Sequence, residues 1–250
     1  MSDVLLASHV LFLIVIFAHV STLHATMLRA QVPPSTKRVA SCTRQWRVPL
    51  QSVGGVAEAR ALMAEHLCEP AAAIDNAAVD ALLGRMNGTW KAERYEEAEG
   101  KFKAQGFGWA LRKIMSKAPC ELAYASAGST SIACTFSSAG LLETSETVDL
   151  ASEGATEKTE AGRVTSCWTT LGADGTMLNL QQGYLSSAAR AADDVAYKQL
   201  TRYAVDEAGG SPARLTLTEV TLTPAANTAV DAPELPPTIT RSWTHMVRVS

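Results

Sequence analysis

The chain has 250 residues, of which 47% are hydrophobic and 19% are charged, and its formal net charge is −3 at neutral pH. This hydrophobic share is close to that of an average globular protein, so length and composition agree with one modest domain plus an extension. The slightly acidic balance gives no general attraction to nucleic acid and argues against a nucleic-acid-binding function.

The chain begins with a segment that differs in composition from the rest, and we take residues 1–54 as a leader. Val10–Ala18 is an unbroken apolar run, long enough for a signal-peptide core and shorter than the roughly 20 residues of a membrane-spanning helix. Residues 26–57 contain basic residues and no acidic residue, as organelle transit peptides do. This order resembles the bipartite leaders of algae with complex plastids.

Two other interpretations of the leader stay open. It is a membrane anchor, whose downstream positive charges favour leaving the remainder of the chain on the cytosolic side, or it is spurious upstream sequence with Met27 as the true start. Localisation follows the choice: cytoplasmic for a spurious leader or such an anchor, and organellar or secreted otherwise.

Residues 55–86 carry two helical patterns, Val56–Leu67 and Asp75–Met86, separated by Glu69 and Pro70. Asp75 is placed to cap the second helix. The apolar positions of that helix form a stripe, which consists of Val79, Leu82, Leu83 and Met86. We expect a helical linker that packs on the following domain; a disordered, alanine-rich linker is the alternative.

Residues 88–119 predict a strand, a helix, a turn and a second helix, in that order. The strand lies around Trp90, the turn contains Gly106 and Gly108, and Pro119 ends the second helix. The first helix groups Tyr95, Ala98 and Phe102 on one face, and Glu97 is placed to pair with Lys101. Both helices are amphipathic and too short to stand alone, so they must lie on an apolar surface.

From Glu121 onward the hydrophobic period changes to two, which indicates half-buried strands. The strand-like runs are Leu122–Tyr124, Ile132–Phe136, Val164–Trp168, Met177–Gln181, Tyr197–Val205, Arg214–Leu222 and Thr238–Met246. Turn-forming residues separate them, for example Asp174-Gly175 and Gly209-Gly210. About eight to ten short strands without a long helix between them predict an antiparallel sandwich or barrel.

Residues 88–119 resemble the opening of the cytosolic fatty-acid-binding protein family, within the calycin superfamily. The resemblance rests on the order strand, helix, turn and helix, and on Gly88-x-Trp90, Gly106-x-Gly108 and the pair Arg112-Lys113. The resemblance implies a mainly β fold: a ten-stranded antiparallel up-and-down β-barrel over residues 87–250, with a helix-turn-helix lid, preceded by a helical or disordered extension. It also implies a monomeric, non-enzymatic carrier without a cofactor, which binds and transports a fatty acid or a similar hydrophobic anion.

The same resemblance suggests three ligand-binding residues. The family holds its ligand carboxylate with an Arg-x-Tyr pair on the last strand; here Arg241 matches the arginine and Trp243 replaces the tyrosine, while Arg202 matches a second arginine two strands earlier. An indole N–H cannot copy the geometry of a phenolic hydroxyl. The alternative is that both arginines face solvent. The loops 183–194 and 224–237 exceed ordinary hairpin connections and could reshape the cavity mouth.

Arg112, Lys113 and Lys117 share the polar side of the second lid helix. Basic residues beside an apolar stripe suit transient contact with an anionic membrane, although a solvated face has the same pattern.

Catalysis has little support in the sequence. Three of the five histidines, His9, His19 and His24, lie in the leader, and the chain has no nucleophile elbow, no metalloprotease motif and no Cys-x-x-Cys. Two alternative functions remain: a lipocalin-like cyclase or isomerase, or a membrane-anchored interaction module. The first would need an acid and a base inside the barrel, and the candidates in strand patterns are Glu143, Glu146, Glu219 and His245.

Overall fold

The computed structural model describes residues 46–47, 50–138, 142–152, 154–160, 162–207, 212–224, 226–227 and 237–249. The apolar run and most of the predicted leader therefore lie outside the described residues, as does most of the predicted loop 224–237. The division of the chain into leader, linker and barrel stays a prediction.

Ten strands form one antiparallel sheet. Two further strands of two residues each, β1 and β11, form a separate small sheet. The strands of the described part are β1 Trp46–Arg47, β2 Gly88–Glu96, β3 Cys120–Ser126, β4 Ser131–Ser138, β5 Leu142–Asp149, β6 Thr156–Glu160, β7 Arg163–Leu171, β8 Met177–Tyr184, β9 Tyr197–Asp206, β10 Arg214–Thr223, β11 Ala226–Asn227 and β12 Thr238–Arg248. The large sheet has the order β5-β4-β3-β2-β12-β10-β9-β8-β7-β6. The prediction of a mainly β fold with ten antiparallel strands is confirmed.

Five helices accompany the sheet in the described residues: α1 Val56–His66, α2 Asn76–Met86, α3 Ala98–Ala104, α4 Trp109–Met115 and α5 Ser187–Ala191. Asp75 caps α2 by accepting a hydrogen bond from the Ala78 amide at 2.7 Å. Helices α3 and α4 are the predicted lid.

The two faces of the sheet have different partners. We call the inner face the one that carries Trp90, Leu217 and Met246, which pack against the buried stripe of α2 in one core cluster. Trp90 is fully buried, and its indole Nε1 donates to the Met86 carbonyl at 2.7 Å. Helix α2 therefore fills one end of the curled sheet.

The opposite, outer face is apolar where α1 covers it. Ala59 and Met63 of α1 pack against a second core cluster, whose strand residues are Trp168, Leu178, Leu180, Leu200, Val220 and Leu222. Because successive side chains of a strand point to opposite faces, β7 to β10 bury apolar residues on both sides.

The sheet curls into a half-barrel. Strands β5 and β6 are its two ends, and within the described residues no strand ladder joins them. An ion pair between Lys158 of β6 and Glu146 of β5 crosses this opening, which we call the seam. Both side chains are on the inner face. Glu146 pairs in register with Cys134, which packs against the inner core cluster, and Lys158 pairs with Thr165, which is in phase with Leu171 of that cluster.

The start of the lid differs from the prediction. Tyr95 and Glu96 belong to β2 rather than to the first helix, because they pair with Thr244 and Trp243 of β12. The chain turns at Glu97, whose φ of 53° is in the left-handed region, and α3 begins at Ala98. Tertiary strand pairing thus overrides the local helical pattern, and the expected pairing of Glu97 with Lys101 is wrong.

Candidate functional site

A buried polar network lies between the lid and the inner face, and we call it the lid cluster: Lys101, Gln105, Gln199, Glu219 and Ser242. Glu219 is 5% exposed, and the Lys101 ammonium lies 2.9 and 2.8 Å from its two carboxylate oxygens. Gln199 Nε2 and Ser242 Oγ donate to the same carboxylate at 2.8 and 3.1 Å.

The lid cluster extends to the end of α3, where the Gln105 side chain donates to the Gln199 side-chain carbonyl. The Lys101 ammonium and the Glu219 carboxylate are both removed from water here, which costs free energy. The attraction between them offsets this cost when their geometry is favourable and further hydrogen bonds satisfy the remaining polar atoms. Glu219 and Lys101 neutralise each other. The cluster therefore fixes the lid to β9, β10 and β12 without adding net charge to the inner face.

Arg163 is an inner-face cation that contacts the lid turn. It lies on β7 in phase with Cys167 and Leu171, its Nη1 donates to the Gln105 carbonyl at 3.2 Å, and its guanidinium lies 4.6 Å from the centre of the Phe107 ring. Among the side chains that the structure describes, it has no carboxylate partner; the side chain of its cross-strand neighbour Glu160 is outside that set. A guanidinium has a planar fork that matches a carboxylate, so Arg163 can receive an anion under the lid.

Five of the inner-face phenols and thiols are not set up as bases. Burial raises the pKa of Tyr95, Tyr124 and Tyr203, and it also raises the pKa of the Cys120 and Cys134 thiols. All five groups are therefore neutral at neutral pH. Among the described residues, no group of three or more His, Cys, Asp or Glu side chains could hold a metal ion.

Two pockets follow the seam. One has a volume of ≈ 300 Å³ and is lined by Cys134, Phe136, Thr144, Ser145, Glu146 and Lys158. The other has a volume of ≈ 50 Å³. Glu146 and Lys158 line this pocket as well, and its further lining includes Cys167, Thr169 and Asn179. The seam ion pair therefore borders both spaces.

The sequence prediction that Arg202, Arg241 and Trp243 point into the cavity is corrected by the strand register. Arg202 pairs with Thr218, Arg241 with Val220 and Trp243 with Thr218 on the neighbouring strands. All three side chains are on the outer face, because the inner-face positions of β10 are those of Leu217 and Glu219. A shift of one position in a strand exchanges the faces.

Arg202 has an outer-face partner. Its Nε and Nη2 donate to Asp174 Oδ2 at 3.2 and 2.6 Å. Burial by itself would raise the pKa of Asp174, but the hydrogen bonds from Thr176 and Arg202 outweigh burial and hold this pKa below its usual value. This pair connects β9 to the β7–β8 turn and is a structural contact.

The three residues predicted to contact a membrane are in or just after α4. Lys113 pairs with Glu99 of α3 at 2.5 Å, and Arg112 Nη1 donates to the Phe107 carbonyl at 3.1 Å. Helix α4 has no buried residue, and Trp109 and Ile114 are 67% and 42% exposed. The helix was expected to lie on an apolar surface; Leu111 is half-buried, whereas Ile114 and Trp109 face outward.

The four acid or base candidates do not form an inner-face pair for catalysis. Glu143 and His245 are on the outer face, in register with Ser137 and Thr216. Glu146 and Glu219 are on the inner face, and each is held by a lysine. Among these four candidates, the described geometry therefore brings no free acid and base together on the inner face.

Sequence reasoning missed Lys101, Gln199 and Arg163 as site residues. One signal was present: Glu219 is a charged residue in phase with Leu215 and Leu217, and a buried charge needs a partner. That partner could not be named, because Lys101 is 118 positions away in the chain.

Solved structures with a similar course of the chain include a fatty-acid-binding protein 1 of Echinococcus granulosus, with 16% identity, a TM-score of 0.47, and coverage of 67% of this chain and 99% of that one. A fatty-acid-binding protein of Schistosoma mansoni, solved with arachidonic acid, has 14% identity and a TM-score of 0.47, with coverage of 67% and 98%. Apo lipid binding protein 8 of Caenorhabditis elegans has 12% identity and a TM-score of 0.47, with coverage of 66% and 96%.

No protein-family model and no curated protein matches the sequence. A likeness at this identity and TM-score carries no conclusion about a ligand, and the fold stated above rests on the strand order of this chain. None of the helices in the described ranges combines the length and the apolar content needed to cross a membrane.

Proposed function

We propose that this chain is a non-enzymatic carrier that binds and transports a fatty acid or a similar hydrophobic anion on the inner face of the half-barrel. The observation that carries the proposal is Arg163, an inner-face guanidinium beneath the lid turn without a carboxylate partner among the described side chains. A carboxylate there would form a charge-assisted, two-point hydrogen bond.

The rest of the inner face supports the tail of such a ligand. Phe136 is a partly buried apolar side chain of this face and lines the larger seam pocket, and burial of a ligand tail contributes about 0.8 kcal/mol per CH₂ group. The pocket of ≈ 300 Å³ beside Phe136 offers space of the size that small-molecule sites have, whose usual range begins at about 300 Å³. The ligand would lie between Arg163 and the seam pockets.

Binding of a fluorescent long-chain fatty acid and of its neutral methyl ester by the full chain tests the proposal. Arg163→Met should weaken the acid by about tenfold or more, since a charge-assisted hydrogen bond is lost, and should leave the ester nearly unchanged. Arg241→Met is the matched control, because Arg241 is exposed on the outer face. Absence of saturable binding by the unmodified chain would contradict the carrier function, and equal losses for acid and ester would contradict the role of Arg163.

Helix α4 supports a second part of the proposal, namely that the carrier exchanges its ligand by contact with an anionic membrane. Trp109 and Ile114 are exposed large side chains on this short helix, and Arg112, Lys113 and Lys117 accompany them. Exposed aromatic and aliphatic side chains beside basic residues suit the boundary between head groups and acyl chains.

A further inference from the structure

Asn179, which lines the smaller seam pocket, carries a buried hydrogen-bond acceptor without a donor. Asn179 is 9% exposed, and its Oδ1 has no hydrogen-bond partner in the described part of the chain. Its Nδ2 is occupied, since it donates to Thr169 Oγ1 at 2.8 Å and to the Trp168 carbonyl at 3.4 Å. The Trp168 carbonyl can only accept, so this contact assigns the amide orientation and leaves Oδ1 as the free acceptor. A buried polar atom without a partner is unfavourable, so this atom is placed to receive a donor.

The charges at the seam limit what that donor can be. Glu146 and Lys158 line both pockets and neutralise each other. A carboxylate placed here would approach Glu146, and an ammonium would approach Lys158, so a charged group would meet repulsion on one side. A hydroxyl avoids this conflict: its O–H donates to Asn179 Oδ1, and its oxygen accepts from the Lys158 ammonium.

The distance from the lid sets where the hydroxyl must be on a ligand. Thr169, the cross-strand partner of Asn179, is six residues after Arg163 on the same strand and the same face. At a rise of about 3.3 Å per residue the two positions are roughly 20 Å apart. That separation is comparable to the length of an extended long-chain fatty acid.

We infer that the seam is a second recognition site, and that it binds a hydroxyl group at the far end of a long-chain acid whose carboxylate is held at Arg163. The preferred ligand class is therefore a long-chain fatty acid that is hydroxylated far from its carboxylate. This inference rests on the proposed carrier function, because it uses the same inner face.

The experiment compares two ligands of equal chain length, a saturated fatty acid and its hydroxylated analogue with the hydroxyl near the methyl end. Each displaces a fluorescent fatty-acid probe from the full chain. The unmodified protein should bind the hydroxylated acid about tenfold more tightly, since one buried hydrogen bond is gained. Asn179→Leu should abolish this preference, and Gln181→Leu, at the next inner-face position of β8, should keep it.

The outcomes separate the two claims. Binding of both acids with equal affinity by the unmodified protein would overturn the seam site, because a water molecule then satisfies Asn179, and would leave the carrier function standing. Binding of neither acid would overturn the carrier function itself. A preference that persists in Asn179→Leu would place the hydroxyl elsewhere. The comparison of the two acids on the unmodified protein tests the seam site even if Asn179→Leu does not fold.

Discussion

The Lys101 ammonium of the lid lies 2.8 Å from Glu219 Oε2 on the inner face, and the two side chains are 13% and 6% exposed. The pair joins positions 118 residues apart. Because the lid helix α3 has seven residues and one buried side chain, Ala98, it has little apolar burial of its own. The ion pair is therefore a main attachment of the lid to the sheet.

Removal of Lys101 should destabilise the protein strongly. Lys101→Met leaves the Glu219 carboxylate buried without a counter-charge, and we expect a loss of about 3 kcal/mol in the free energy of unfolding. Chemical denaturation of the full chain measures it. The matched control is Lys113→Met, which breaks the exposed pair with Glu99 on the same lid and should cost less than about 1 kcal/mol. Equal costs for the two variants would show that the buried pair is not an attachment of the lid.

Asp174 should make stability depend on pH in the acidic range. Hydrogen bonds from Thr176 and Arg202 hold its pKa below the usual value despite burial. A carboxyl group whose folded pKa is lowered stabilises the fold above its unfolded pKa of about 3.9, and this contribution is lost as the pH falls through the folded pKa. The difference in unfolding free energy between the unmodified chain and Asp174→Asn should therefore shrink below about pH 4. When Asp174→Asn is compared with Asp174 in a chain that carries Arg202→Met, this pH dependence of the difference should be weaker. A pH dependence of the same size would contradict the Arg202–Asp174 pair.

Trp109 should set the rate of ligand transfer to membranes. In Trp109→Ser an exposed indole is lost, so transfer of a fluorescent fatty acid to anionic vesicles should slow several-fold while the equilibrium affinity changes little, because α4 has no buried residue. Charge reversal of Arg112 and Lys117 should act in the same direction and lose its effect on neutral vesicles. Ile239→Ser is the control, since Ile239 is 48% exposed on β12 and outside the lid. Transfer kinetics unaffected by the lid variants would assign those residues to a solvated surface.

Truncation locates the boundary between the leader and the folded domain. A chain that starts at Gln45, the first residue of the second compact unit, should fold cooperatively with an unchanged denaturation midpoint. Deletion of residues 1–54 also removes Leu50, which bridges to Val195, and Val53, which is buried and donates to Gln182 Oε1 at 2.8 Å. We expect the longer deletion to cost about 1–3 kcal/mol. Equal stability of both truncated chains would favour the predicted boundary after residue 54.

Several parts of the fold could be predicted from local patterns. The period of two from Glu121 onward indicated β3, β4, β7 to β10 and β12, and the stripe of Val79, Leu82, Leu83 and Met86 indicated α2 and its buried side. The Gly106 and Gly108 turn indicated the two lid helices. These signals are local because they depend on side-chain spacing within one element, which the backbone geometry of that element dictates.

The site residues were harder to predict, because alternation tells which side chains share a face and leaves open which face is inside. Arg202 shares a face with Leu200, whose apolar character is typical of a position that faces a core. Leu200 is instead buried on the outer face by Met63 of α1. A helix packed on the outside thus makes both faces of β8, β9 and β10 apolar, and the sequence pattern then no longer distinguishes them.

The sequence by itself determined the order of the elements, their periods and the amphipathic lid, because each depends on residues a few positions apart. Only the tertiary structure decided that Glu219 meets Lys101, that Arg163 lies beneath Phe107, and that Arg241 points outward. Contacts of this kind depend on the register between distant strands and on which side of the sheet each helix covers. A single shift of register exchanges the two faces of a strand, and no local pattern of one strand fixes that choice when both faces are buried.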